Sequence, residues 1–288
     1  MVNAFYASLR RKMNMNKVWL VLLSSLLLNG CASLGGGNPK TRMLASFETL
    51  PHDSRVHFEP GARAYAEQVA ELLSGAVAQV EAAHYRTFAG PVNLYVCGTP
   101  ACFGRLVATP NLSAAVVPDN LLILAPRLFE REPQRLYAIL VHELSHLHLG
   151  LQIGHYDHSV PIWFHEGLAT LAAKGGGAEY GSDADALAAI IAGQRIMAGV
   201  RDSRIKRHRA ADWGLNIHVF YRLSMRMVEY LRTLDEDRFR AFLLQLQDNV
   251  DFDIAFSDAY ASSVARTLQT YYDQAGSLFE RAILNHSP

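Results

Sequence analysis

The chain has 288 residues, half of them apolar, and its 27 Lys and Arg balance 27 Asp and Glu. A balanced charge gives no argument for a nucleic-acid partner, and the apolar share is enough to bury a core. Three cysteines are too few for a disulfide-built scaffold, so the fold must rest on a hydrophobic core.

The first segment is basic, with Arg10, Arg11, Lys12 and Lys17, and leads into the apolar run Val18 to Leu28. That run is too short to cross a bilayer and fits the h-region of a secretion signal. It ends in Leu28-Asn29-Gly30-Cys31, which resembles a bacterial lipobox. The resemblance implies that residues 1–30 are a lipoprotein signal peptide, cleaved before Cys31, whose thiol carries a diacylglyceryl group. Translation would begin at Met1, Met13 or Met15. Several acyl chains anchor stably, whereas one is marginal at about 0.8 kcal/mol per buried methylene. Ala32 after the cysteine is similar to the outer-membrane sorting pattern. The expected location is therefore the bacterial cell envelope, lipid-anchored on the periplasmic face of the outer membrane. Residues 31–40, which include Gly35-Gly36-Gly37, read as a flexible tether.

Residues 41–288 then read as one domain, β-containing over about 41–130 and helical over about 131–288. Over 61–87, Ala64, Val69, Leu72, Leu73, Ala76 and Val80 recur at helical spacing. Val92 to Val96 alternates as a strand, and Ala114–Val117 and Leu121–Leu124 read as two strands joined through Pro118-Asp119-Asn120. Cys97 and Cys102 flank Gly98-Thr99-Pro100-Ala101, a turn-forming spacer. In an oxidising compartment the two are expected to form a local disulfide, the alternative being unpaired thiols at a strand end. From 133 onward the pattern predicts helices over 133–150, 161–174, 183–198, 217–233, 235–248 and 261–284. Gly175-Gly176-Gly177 ends the second of these. The basic cluster Arg201, Arg204, Lys206, Arg207 and Arg209 reads as a solvated loop, with contact to anionic lipid or a peptide carboxylate the alternative. A small sheet beside many helices places the chain in the α+β class.

Chemistry concentrates in His142-Glu143-Leu144-Ser145-His146 and in Trp163-Phe164-His165-Glu166-Gly167-Leu168-Ala169. Histidines at i and i+4 project from one helix face, where both imidazoles can reach one ion. The surrounding Leu136 to Val141 is apolar on more than one face, which predicts a buried helix. Burying two imidazoles and a carboxylate there is costly unless they are paired or bind metal. Two histidines and a glutamate are a known catalytic zinc set, with Glu166 the candidate third ligand and Glu143 the candidate general base.

Together these segments resemble the gluzincins, the clan of zinc peptidases that includes thermolysin and aminopeptidase N. Nineteen residues separate His146 from Glu166, close to the gluzincin distance. The Trp-Phe-His-Glu-Gly-Leu-Ala segment is similar to the Trp-Leu-x-Glu-Gly-Phe-Ala of the aminopeptidase branch. Small bacterial peptidase-like domains with His-Glu-Leu-Ser-His resemble the chain most, over roughly 90–235. The resemblance implies a thermolysin-like catalytic domain with a small sheet beside a zinc-binding helix and a mainly helical C-terminal part. It also implies one Zn2+ ion and a peptide or protein substrate, laid along a strand edge within 114–124. No free-amine anchor of the aminopeptidase kind is visible, which favours endopeptidase action. A catalytically silent lipoprotein, serving as an envelope scaffold or peptide-binding module, is the alternative; the retained Glu143 weighs against it.

Several other residues bear on this site. Where thermolysin-like gluzincins carry an aspartate that orients the first zinc histidine, this chain has Thr170, so a hydroxyl or a backbone carbonyl must take that place. Tyr221, on the helix that follows the ligand helix, is the candidate oxyanion donor; an ordinary core aromatic is the plain alternative and His218 the other donor. His165 reads as a pocket wall. The longer metzincin pattern is broken by Leu149 and Gln152, which leaves a metal bond from His148, His155 or His158 through a folded-back loop as the lesser alternative. His148 is out of phase with the His142 and His146 face, and His155 and His158 belong to a loop rimming the cleft.

Overall fold

The computed structural model describes residues 39–109, 111–154, 159–197 and 208–284. The signal segment, Cys31, most of the tether, His155, His158, Arg201, Arg204, Lys206 and Arg207 lie outside the described residues.

After a short helix α1 (Pro39–Leu44), strands β1 (Glu48–Leu50) and β2 (Asp53–Phe58) pair antiparallel. Helix α2 (Arg63–His84) carries the chain to β3 (Asn93–Val96), parallel to β2. Helix α3 (Pro100–Leu106) leads to β4 (Ala114–Val117) and β5 (Leu121–Leu124), and β5 inserts between β3 and β4. The sheet order is β1-β2-β3-β5-β4, which leaves β4 at an edge. All four residues of β5 are buried. Leu122 and Leu124 join a core with α2, while Leu121 and Ile123 join a second on the other face, so an unbroken apolar run is what this strand needs.

Helices α4 (Arg127–Glu130), α5 (Leu136–Ile153), α6 (Ile162–Ala172) and α7 (Asp183–Ile191) follow. The remainder is α8 (Ile217–Leu234), α9 (Glu236–Gln247), α10 (Phe252–Tyr260) and α11 (Val264–Leu284). Helix α5 is apolar around most of its circumference because it lies between two cores. Leu140, Leu144 and Leu147 pack with the sheet and α2, while Leu149 joins the helical core built by α6 and α8 to α11. The architecture is mixed, with a small five-stranded sheet and a larger helical part, as the α+β class requires.

Three local outcomes differ from the pattern reading. The Cys97 to Cys102 spacer is not merely a turn. Thr99 caps α3 by accepting from the Cys102 amide at 3.1 Å, and Pro100 stands at the first helical position, where its missing N–H costs nothing. The helix expected over 183–198 stops at Ile191, two residues before Gly193 at φ +80°. Helix α10 was hidden because its apolar residues Phe252, Ala255 and Phe256 span only nine positions.

Candidate metal centre

His142 and His146 lie one turn apart on α5, and their Nε2 atoms converge to 3.1 Å. Glu166 reaches across from α6, its Oε2 3.3 Å from His142 Nε2 and 3.4 Å from His146 Nε2. Side-chain exposure grades from 5 % at His142 to 14 % at Glu166 and 21 % at His146, so the cluster is closed at its base and open on one side. A catalytic metal requires that combination of fixed ligands and an accessible position.

The tautomer of His142 follows from its other nitrogen. Nδ1 lies 3.0 Å from the Gly176 carbonyl, which can only accept, so Nδ1 carries the proton and Nε2 presents a lone pair to the cluster. Glu166 Oε2 is buried and has no hydrogen-bond partner among the described residues. His142 Nε2 can only accept in its 3.1 Å contact with His146 Nε2, so His146 supplies the proton inside the cluster, a place that a bound cation takes when that proton leaves. The donor set therefore fits a divalent metal, and two imidazoles with one carboxylate suit zinc.

Burial alone would raise the Glu166 carboxyl, but the facing His146 and His142 outweigh it and hold Glu166 well below the usual carboxylate range. Glu143 behaves oppositely. Burial raises it, His146 and His142 oppose only in part, and the negative charge of Glu166 adds to the rise. The Val116 amide donates a hydrogen bond to Glu143. That contact ties the candidate base to β4. Leu124 O accepts from Cys97 N at 3.0 Å and Ala125 N donates to Ser113 O at 2.9 Å, so Ala114 and Val116 direct their backbone polar groups away from β5. The outer edge of β4 thus faces the cluster.

Tyr221, on α8, packs its ring 5.7 Å from that of His142 and hydrogen-bonds Glu166. The negative charge of Glu166, then burial, raises its phenol well above the ordinary value, which keeps it a donor. His218, one turn earlier, is engaged elsewhere. Its Nδ1 meets the Gly177 carbonyl at 2.8 Å and its ring takes the edge of Tyr180 at 4.9 Å. His165 lies with its ring 6.2 Å from His146. His148 is buried away from the cluster, its ring tilted against that of His84 at 4.4 Å and its Nε2 2.9 Å from the Arg86 carbonyl. Thr170 is fully buried but takes no part in orienting His142, since its Oγ1 has no partner and Gly176 fills that role. Cys97 and Cys102 form a disulfide beneath the sheet, away from this chemistry.

Four glycines make the site geometrically possible, and pattern reading passed over their role. A Cβ on Gly167 would stand 2.4 Å from the Ser224 carbonyl oxygen, so only glycine lets α6 and α8 meet backbone to backbone beside Glu166. A Cβ on Gly176 would meet Ala138 at 2.8 Å, and one on Gly177, at φ +93°, would meet the His142 ring at 2.9 Å. Gly181 approaches the His218 carbonyl in the same way, at 2.5 Å. The loop that holds Gly176, Gly177 and Gly181 is tied further by Arg222 Nε to the Gly181 carbonyl at 2.8 Å and by Arg135 to Glu179 at 3.0 Å. The only advance signal was the run of three glycines after the ligand helix.

Fold and site together define an α+β protein with a two-histidine, one-glutamate centre prepared for a metal ion. No protein-family model matches the chain, and no curated protein matches it.

Proposed function

We propose that this chain is a zinc-dependent metallopeptidase of gluzincin type, acting as an endopeptidase in the bacterial cell envelope. The observation that carries the reading is the convergence of His142 Nε2, His146 Nε2 and Glu166 Oε2, with Glu143 beside them and the edge strand β4 next to Glu143. The thermolysin-like domain is inferred from the same juxtaposition of small sheet, edge strand and ligand helix. The membrane anchor at Cys31 and the periplasmic location rest on the lipobox resemblance alone.

In such a donor set zinc supplies a bound water acidified towards neutrality and a Lewis acid for the carbonyl. The residues do the rest. An extended peptide adds to β4 through the outward N–H and C=O of Ala114 and the C=O of Val116. Glu143 takes the proton of the attacking water on its carboxylate and passes it to the leaving amine; its raised pKa brings it nearer the working pH of a general base. Tyr221 stays protonated and donates to the developing oxyanion. Gly176 holds His142 in the tautomer that offers Nε2 inward.

The test is cleavage of a mixed unfolded-protein substrate by the soluble form beginning at Ala32, compared with Glu143→Gln, with zinc content measured on both. Zinc in both proteins and cleavage only by the unaltered one is the expected result. A folded protein that binds no stoichiometric zinc, handled without chelators, refutes the reading. Zinc without cleavage in either protein turns it towards a peptide-binding module.

A further inference from the structure

The glycine loop that orients His142 has a second face. A cleft of about 690 Å³ opens there between α2, α6 and α8, lined by Gln79, Leu171, Lys174, Arg222, Met225 and Arg232 among others. It is separate from the metal cluster. Gly177 touches His142 and Tyr221, whereas a Cβ on Gly175 would meet the Arg222 guanidinium at 3.6 Å, so the same loop is a wall of both.

Charge in the cleft is unevenly compensated. Arg226 is fully engaged, pairing with both Asp183 and Glu229. Arg232 pairs with Glu236 at 3.5 Å. The Arg222 guanidinium instead points Nε at the Gly181 carbonyl at 2.8 Å and Nη2 at the Ala178 carbonyl at 3.5 Å, and it shares Asp183 with Arg226 only at 4.0 Å. Lys174 pairs with no carboxylate among the described residues. The lining carries four cations, Lys174, Arg222, Arg226 and Arg232, against two carboxylates, Asp183 and Glu229, so a cavity of small-ligand size keeps an excess of positive charge beside the apolar walls Ala82, Leu171 and Met225.

We propose that this cleft binds a small organic anion, a single carboxylate or phosphate group on a short apolar body, with the anion against Arg222 and Lys174 and the body against Leu171 and Met225. The guanidinium offers two N–H groups at Nη1 and the ammonium three, enough to satisfy either anion by charge-assisted hydrogen bonds. This site is independent of the peptidase reading, because none of its groups belongs to the metal cluster.

Calorimetric titration of the protein with 4-phenylbutyrate, phenyl phosphate and neutral 4-phenylbutanol tests the proposal. Two variants at exposed positions accompany it, Lys174→Met to remove one charge and Ala82→Trp to fill the cleft without altering charge. Saturable binding of at least one anion, weakened about tenfold or more by each variant and absent with the alcohol, is expected; the stronger of the two anions identifies the preferred head group. Binding that survives both variants is binding elsewhere, the metal cluster included, and overturns the proposal. So does equal binding of the alcohol, or no saturable binding at all. Should Lys174→Met lower the melting temperature too far to be titrated, Ala82→Trp decides alone.

Discussion

Substituting Gly167 by Ala tests whether the contact between α6 and α8 sets the metal centre. The added Cβ would lie 2.4 Å from Ser224 O, 2.7 Å from Ser224 C and 2.8 Å from Val228 Cγ2. Ordinary contact begins near 3.4 Å, so the two helices must part by about 1 Å, and the obstacle is backbone that no rotamer can clear. Overpacking of this kind costs about 1–3 kcal/mol, here towards the upper end, and the better helix propensity of Ala returns about 1 kcal/mol. The net loss of about 1–2 kcal/mol lowers the melting temperature by about 2–8 °C in a chain of this size. The larger effect is on metal. Glu166 precedes Gly167 on α6 and Tyr221 lies one turn before Ser224 on α8, so parting the helices displaces a ligand from the histidine pair by several times the roughly 0.2 Å that metal coordination tolerates. Zinc affinity is expected to fall about tenfold or more. Circular-dichroism melts, with competitive zinc titration against a chromogenic chelator, measure both. A variant that melts at or above the parent temperature and binds zinc equally well refutes the reasoning.

Other expected outcomes follow from the surroundings of the cluster. Glu143→Gln should retain zinc and fold while losing about 100-fold or more in cleavage rate, read by substrate turnover and metal analysis together. Thr170→Val removes a buried hydroxyl that has no partner, so the melting temperature should hold or rise while zinc affinity stays unchanged; a loss of affinity would return Thr170 to the role of orienting His142. His84 is buried, and that burial, with the neighbouring His148, holds its imidazole well below the ordinary value. The unfolded chain therefore takes up a proton that the folded chain refuses, and stability is lost as pH falls below about 6.5, by about 1.4 kcal/mol per pH unit. His84→Gln should flatten the dependence of chemical stability on pH between about 7.5 and 5.5, and parallel curves would disprove it. Breaking the disulfide by Cys97→Ser with Cys102→Ser should cost about 2 kcal/mol for so short a loop, seen as a lower denaturation midpoint with zinc binding intact.

What could be read from the chain alone was whatever has a period or a spacing. The i, i+4 histidines, the strands at 114–117 and 121–124 and the amphipathic α8 each declare themselves within a few residues. Short elements did not. Strand β1 is only three residues long, β2 buries only Val56 and Phe58 of its six, and α10 is only nine residues long. The partner of His142 was hidden for a different reason. A backbone carbonyl carries no side-chain signature, so Gly176 can orient an imidazole without any residue type announcing it.

That substitution of carbonyl for carboxylate has an electrostatic consequence. A carboxylate behind His142 would bring a third negative group near Glu143 and Glu166 and make the imidazole a stronger donor to a metal. The Gly176 carbonyl fixes the same tautomer with a neutral dipole. The cluster then has less negative charge to neutralise, and Glu143 is raised chiefly by burial, with Glu166 the carboxylate that adds to the rise. The geometric demand moves from side chain to loop. Gly176 must pack against Ala138, Gly177 must adopt φ +93° against the His142 ring, and Arg222 and Arg135 must hold the flanks of the loop. Orientation of the first ligand is thereby made a property of the 174–181 segment as a whole, which is why it tolerates Thr170 on α6 yet has no room for a Cβ at positions 176 and 177.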